Sequence, residues 1–220
     1  MTGSQRQARA LRRIRRLRSG PRRAHPPLAA PAPPGKADER LDALAAMMLR
    51  EGFRHLTVGE IARRLRCSRR SLYELAPSKH ALFTVVLERL LCRIEHAGRA
   101  GAAATEPFEV RIRAFLEPGI VQLRDASAAF FADIASVPAT RRCLEQHQAA
   151  RGRQLEELLG LGVRAGAFRS IHPAVAVTAM LSAYRAVTNP DFLIATDVSL
   201  VEAVREAEDL LLKGLLHPET

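Results

Sequence analysis

An all-α fold is predicted by three features of the sequence. Apolar residues recur at spacings of three and four from Lys36 onward, and the alternation of β-branched residues that marks strands is nearly absent. Proline, glycine and capping hydroxyls then break the pattern into helix-sized pieces. With 220 residues, 47% of them apolar and 26% charged, the chain suits one or two globular domains that bury a core of their own.

The first 35 residues stand apart. They hold nine arginines (Arg6, Arg9, Arg12, Arg13, Arg15, Arg16, Arg18, Arg22, Arg23) and no acid, so +9 of the net charge of +11 belongs to them and only +2 to the rest. Six of the thirteen prolines also lie here, five of them among residues 26–34, a density that opposes helix and favours an extended linker. Residues 1–35 are therefore expected to form a disordered basic arm. Leu11, Ile14 and Leu17 give it a short basic helix only against an anionic surface. Contact with DNA phosphates ranks above minor-groove insertion and above an idle solvated tail, because it requires only charge. Deleting residues 1–34 is then expected to weaken binding to every DNA sequence and to flatten the plot of log affinity against log salt. An unchanged slope would remove the arm from the interface.

The helices follow in order. Leu41, Leu44, Ala45, Met48 and Leu49 make one stripe, closed by Gly52. Short helices begin at Thr57 and Ser68. A longer one begins near Ser78, with Leu82, Phe83, Val86, Leu87, Leu90 and Ile94 along one side, and ends in the small-residue stretch 97–104, which reads as a hinge. Further helices are expected over about 107–123, 126–137, 139–164, 173–188 and 199–216, with breaks at Pro118-Gly119, Pro138, Gly166, Pro173 and Asn189-Pro190. The helix from Pro173 has only Arg185 as a charge, and the last presents Leu200, Val204, Ala207, Leu211 and Leu215. Pairing both with their copies in a second chain makes a two-fold four-helix bundle, so a homodimer is expected.

Segment 57–82, TVGEIARRLRCSRRSLYELAPSKHAL, carries the functional signal. Thr57 and Glu60 form a capping box. Ile61, Ala62 and Leu65 face inward, the chain turns at Arg66-Cys67, and Ser68 caps a second short helix through Leu72 and Leu75. Two short helices joined so tightly make a helix-turn-helix over about residues 57–76, whose second helix enters the major groove of duplex DNA. Arg63, Arg64, Arg66, Arg69 and Arg70 are five arginines in eight residues with no acid among them. Guanidinium groups grip phosphate and bond guanine edges in pairs. Ser68, Arg69, Arg70 and Ser71 occupy the turn that approaches bases, while Tyr73 and Lys79 offer donors to phosphate. Glu74 repels phosphate unless it accepts from a cytosine amine or pairs with Arg70. Arginine outnumbers lysine 31 to 3, which GC-rich coding alone can produce, so the weight rests on the cluster rather than on any one arginine.

At these residues the chain resembles the tetracycline-repressor (TetR) family of transcription regulators. The family's run of capped Thr, Ile-Ala, turn, Ser, Leu-Tyr and Pro-Ser-Lys followed by Leu is matched by Thr57, Ile61-Ala62, Ser68, Leu72-Tyr73, Pro77-Ser78-Lys79 and Leu82. The resemblance covers roughly residues 37–97, including Gly52-Phe53; beyond that it is one of length, helix rhythm and the Gly166-Ala167-Phe168 break. It implies a three-helix DNA-binding head, here residues 36–97, and a ligand-binding and dimerising body, here 98–220, joined by a long fourth helix. It also implies a dimer on a palindromic operator, with a small-molecule effector. Two departures stand out. Arg66 occupies a turn position where the family commonly has Gly, so the turn either avoids positive φ or accepts a cost of about 1 kcal/mol. Leu75-Ala76 replaces a polar residue followed by an aromatic.

Elsewhere no nucleophile, metal or phosphate-loop motif rises above chance, so neither enzyme activity nor a cofactor is expected. His55, His80, His96 and His147 read as surface or capping residues, and Cys92 and Cys143 as small core residues. Phe130, Phe131, Met180 and Tyr184 either line an apolar cavity between body helices, as the resemblance implies, or fill it; the scarcity of aromatics favours filling. The longest uncharged stretch, 170–184, is too short to span a bilayer and contains Pro173. Three scattered cysteines make no disulfide framework, and a cytoplasmic, nucleoid-associated protein is expected. The competing expectation is a basic nucleoid protein that binds DNA without sequence preference.

Overall fold

A computed structural model describes residues 35–104 and 106–216; the arm lies outside the described residues. The fold among them is all-α, as the sequence predicts, with ten helices: α1 (Lys36–Glu51), α2 (Val58–Arg64), α3 (Arg69–Tyr73), α4 (Lys79–Ala104), α5 (Phe108–Leu123), α6 (Ala128–Ser136), α7 (Pro138–Arg164), α8 (Pro173–Val187), α9 (Pro190–Thr196) and α10 (Leu200–Lys213).

Two apolar clusters hold these helices together. The first gathers Leu44 and Met48 of α1, Phe53, Ile61 of α2, Leu72 of α3 and Phe83 of α4, and it also takes in Phe130 and Ile134 of α6. Phe53 stacks on Phe83 at 3.8 Å between ring centroids, and Phe130 meets Phe83 edge-on at 5.9 Å. The head's core is thus completed by a body helix. The second cluster packs Ala102, Ile112, Phe115, Leu155, Leu159, Phe168, Val177, Met180 and Leu212.

Three expectations are corrected. The stretch 97–104 is no hinge, since α4 runs unbroken through it as part of a close helix crossing. A Cβ at Gly98 would stand 2.6 Å from the Phe115 carbonyl oxygen and one at Gly101 2.8 Å from that of Ala114, so glycine is what lets α5 approach. Nor does Pro118-Gly119 break α5, which holds Pro118 in its interior; Phe115, Leu116 and Ile120 around it are buried, and their packing outweighs a proline cost of about 3 kcal/mol. Finally, α9 follows the break at Asn189-Pro190, where only an end was expected. Its start signal is local: the Asn189 side chain accepts from the Asp191 amide at 2.9 Å, with Pro190 at the first helical position.

Candidate nucleic-acid interface and body cavity

The capping box forms at Thr57. Its hydroxyl oxygen accepts from the Glu60 amide at 3.2 Å, and the Glu60 carboxylate accepts from the Thr57 amide at 2.7 Å and the Thr57 hydroxyl at 2.8 Å, two bonds that hold the Glu60 carboxyl below its usual range. At the other end of α2, the Arg66 amide donates to the Arg63 carbonyl at 3.2 Å and the Cys67 amide to the Ala62 carbonyl at 2.9 Å. This paired ending needs a left-handed residue between its two bonds. Arg66 supplies it at φ 49°, so the turn accepts the strain that Gly would avoid. Arg66→Gly is expected to raise the thermal midpoint by roughly 2–4 °C, the equivalent of about 1 kcal/mol, while weakening DNA binding. A lower midpoint in circular dichroism melting would contradict this.

The Ser68 hydroxyl oxygen accepts from the Ser71 amide at 3.0 Å and opens α3. Arg63, Arg64, Arg66, Arg69, Arg70, Tyr73 and Glu74 are all exposed, whereas Ser71 and Lys79 are half-buried. Of the two outcomes open to Glu74, pairing is present: Arg70 Nε stands 3.3 Å from its carboxylate. An exposed pair of this kind contributes only about 0.3–0.5 kcal/mol and exchanges readily for a phosphate. Arg64 is engaged by Glu51. Among the described residues no acid pairs with Arg63, Arg66 or Arg69. The Arg69 guanidinium lies over the first turn of α2, where a Cβ on Gly59 would come within 2.8 Å of Nη2. Gly59 carries no signal of its own in the sequence, yet it provides the seat that aims Arg69. Lys79 is largely committed elsewhere: Nζ donates to the carbonyls of Arg54 at 2.8 Å and Leu56 at 2.9 Å, tying α4 to the loop before α2. Leu75 packs against the head core and Ala76 is buried, which accounts for their replacing polar and aromatic residues.

A second group missed from sequence joins head to body. Asp133 of α6 is 6% exposed and accepts from the Phe53 amide at 2.6 Å and the Arg54 amide at 3.1 Å. Gly52, at φ 75°, leaves room for it; a Cβ there would meet the carboxylate at 2.7 Å. The Ser127 amide, donating to the Leu49 carbonyl at 2.8 Å, adds a second tie between the same parts. The only signal in the sequence was an acid in an otherwise uncharged helix.

The body holds a cavity of about 220 Å³. Phe131 and Tyr184 line it; Phe130 and Met180 do not, and fill the two cores instead. Phe131 and Phe130 are thus adjacent residues serving the cavity and the head core respectively. His147, read above as a surface residue, also lines the cavity, and burial together with Arg151 lowers its pKa to about 4, leaving it neutral at physiological pH. Burial pushes the Tyr184 phenol up, so it keeps its proton. Cys92 is exposed rather than part of the core, while Cys143 packs against it. Near the cavity, Glu208 of α10 is 2% exposed, and burial pushes its carboxyl up to about 7 against the pull of Arg113. Because the folded state keeps a proton that the unfolded chain releases, stability falls as pH rises from about 4.5 to 7, and the loss is complete above that window. Glu208→Gln is expected to flatten this slope and to add on the order of 2 kcal/mol at pH 8, read by denaturant melts at several pH values. An unchanged slope would contradict the assignment.

Three short-coupled helices with an exposed arginine edge form a helix-turn-helix head, seated on an all-helical body with an apolar cavity. Residues 41–86 match the family model described as bacterial regulatory proteins, tetR family. The whole fold agrees. NemR from E. coli in its reduced form aligns with a TM-score of 0.68 at 17% identity, over 84% of this chain and 100% of that one. The TetR-family regulator PfmR from Thermus thermophilus aligns at 0.61 and 23% identity, over 82% and 100%. A putative transcriptional regulator from Saccharomonospora viridis, in complex with choline, aligns at 0.67 and 14% identity, over 83% and 98%. No curated protein sequence matched the chain. Among the described residues no helix is long and apolar enough to cross a membrane, and no cluster of His, Cys, Asp and Glu could hold a metal ion.

Proposed function

We propose that the chain is a sequence-specific transcription regulator, acting as a homodimeric repressor whose body binds a small molecule and thereby changes the spacing of its two heads. The observation that carries this reading is the arginine edge of α2 and α3 on a TetR-type head. Arg63, Arg69 and Arg70 meet phosphates and base edges, Ser68 and Ser71 the backbone at the start of α3, and Thr57 and Tyr73 the flanking phosphates, with Glu74 tempering base choice. Lys79 keeps one N–H for phosphate once its two carbonyls are served. Residues 36–97 act as the DNA-binding domain, 98–220 as the regulatory one, and 1–35 as a basic arm.

The dimer forms through α8 and α10. Val175, Thr178, Ala179, Ser182 and Ala186 make an exposed, small-residue stripe along α8; the face of the last helix expected to pair is instead spent within the chain, Ala207 and Leu215 being buried and Leu200 and Val204 lining the cavity, so α10 offers Leu210, 74% exposed. Both helices also line the cavity, through Tyr184 and Val204, so a ligand there is placed to shift the dimer. Linkage requires only that it bind the DNA-incompetent arrangement more tightly, with typical couplings of about 1–3 kcal/mol. The choline complex of the Saccharomonospora viridis protein supports a small-molecule role for this fold. Nuclease footprinting on the chain's own upstream DNA tests the reading. A discrete, two-fold symmetric protected site is expected; uniform protection would replace it with a nucleoid protein that reads no sequence.

A further inference from the structure

The ligand-responsive reading leaves the chemistry of the ligand open, and the cavity narrows it. Its titratable lining residues are His147, Arg151, Tyr184 and Arg185, and no Asp or Glu is among the described residues that border it. Arg151 Nη2 donates to the Phe115 carbonyl at 2.9 Å, and its guanidinium lies 4.4 Å from the Phe115 ring centroid. Arg151 Nη1, which packs against Gly98 of α4, and the Tyr184 hydroxyl are buried without a protein partner; Gln154 Oε1, an acceptor outside the cavity lining, is the third such atom among the described residues. Arg151 and Tyr184 are near enough to feel one another electrostatically. Two acids stand near the cavity without lining it: Glu95, held by Arg99 at 2.7 Å and by Gln154 at 3.0 Å, and Glu208, which acts on Tyr184 and is offset by Arg113. Buried donors normally find acceptors, and a pair left over on two different helices calls for an acceptor from outside. With a neutral His147 and arginines as the only charges on the lining, and with both neighbouring acids offset by arginines of their own, the field in the cavity favours an anion and disfavours a cation.

We infer that the cavity takes a small lipophilic monocarboxylate, whose oxygens accept from Arg151 Nη1 and the Tyr184 hydroxyl while its hydrocarbon part fills the apolar remainder. Two separate donor groups match two carboxylate oxygens, and charge-assisted bonds of this type are the strong ones. An apolar cavity of about 150 Å³ admits benzene, so 220 Å³ suits a ligand of roughly nine or ten non-hydrogen atoms. Octanoate has that size.

Isothermal titration of the full chain with octanoate, 1-octanol and octylammonium tests the inference, which rests on the regulator reading only for its consequence. Octanoate is expected to bind at least tenfold more tightly than octanol, with octylammonium weakest. Tyr184→Phe removes a hydroxyl that has no partner in the protein, so it should weaken octanoate about three- to tenfold and leave octanol binding and the melting midpoint unchanged. Arg151→Gln should abolish the preference for octanoate; if that variant does not fold, Tyr184→Phe decides alone. Octanol binding as tightly as octanoate, octylammonium binding best, or unchanged octanoate binding by Tyr184→Phe would overturn the assignment. DNA affinity measured in the same samples separates the two readings. Octanoate that binds without altering DNA affinity upholds the ligand class and removes the regulatory role. A chain that binds DNA but not octanoate loses the ligand class and keeps the regulator.

Discussion

Replacing Arg69 and Arg70 together by alanine lowers the affinity for the footprinted site by at least about 100-fold at fixed salt, measured by fluorescence anisotropy. Each guanidinium that reaches a guanine edge or phosphate contributes about 1–3 kcal/mol, and a dimer presents both arginines twice. The two side chains are exposed and leave the core untouched, so the far-ultraviolet spectrum and melting midpoint should stay at wild-type values. Arg64→Ala offers an internal contrast, because its guanidinium is engaged by Glu51 and its removal should cost only a fewfold loss. Equal losses for Arg64→Ala and the double variant would point to bulk charge rather than to a built edge. Full affinity in the double variant would remove α3 from the interface.

Asp133→Ala is expected to lower stability by about 2–4 kcal/mol and the thermal midpoint by roughly 5–15 °C. Two amides, those of Phe53 and Arg54, lose a charged acceptor, and the first lies in the buried core. Asp133→Asn keeps one carbonyl oxygen and should lose about half as much. The consequence extends beyond stability. Phe131 borders the cavity, Phe130 packs in the head core, and Asp133 holds the loop leading into α2, all within one turn of α6. Loosening the latch should therefore weaken any effect of a body ligand on DNA affinity, even where both ligands still bind. An unaltered midpoint would show that the contact carries little energy, and the route through α6 would lose its support.

What was legible in the sequence was local. The capping box at Thr57, the Ser68 cap, the Pro and Gly stops and the three-and-four spacing placed nearly every helix, because caps and amphipathic stripes act over a single turn. The arginine edge was legible for the same reason, since eight consecutive residues carry it. What escaped depends on partners far along the chain. Asp133 meets its amides across some 80 residues. The stretch 97–104 looked like a hinge for its small side chains, when those side chains admit α5 instead. Lys79 was assigned to phosphate, and two carbonyls brought near by the fold claim most of it. The cavity draws its lining from α4, α5, α6, α7, α8 and α10, so no single segment announces it, and of four aromatic and thioether candidates only Phe131 and Tyr184 reach it.

The most direct test of the account is the affinity of the purified chain for duplex DNA across a salt series, with the footprinted site set against an unrelated duplex of equal length. The footprinted site is expected to win by at least about a thousandfold, with both affinities falling linearly in log salt as counterions are released. No binding of either duplex in dilute buffer would contradict it.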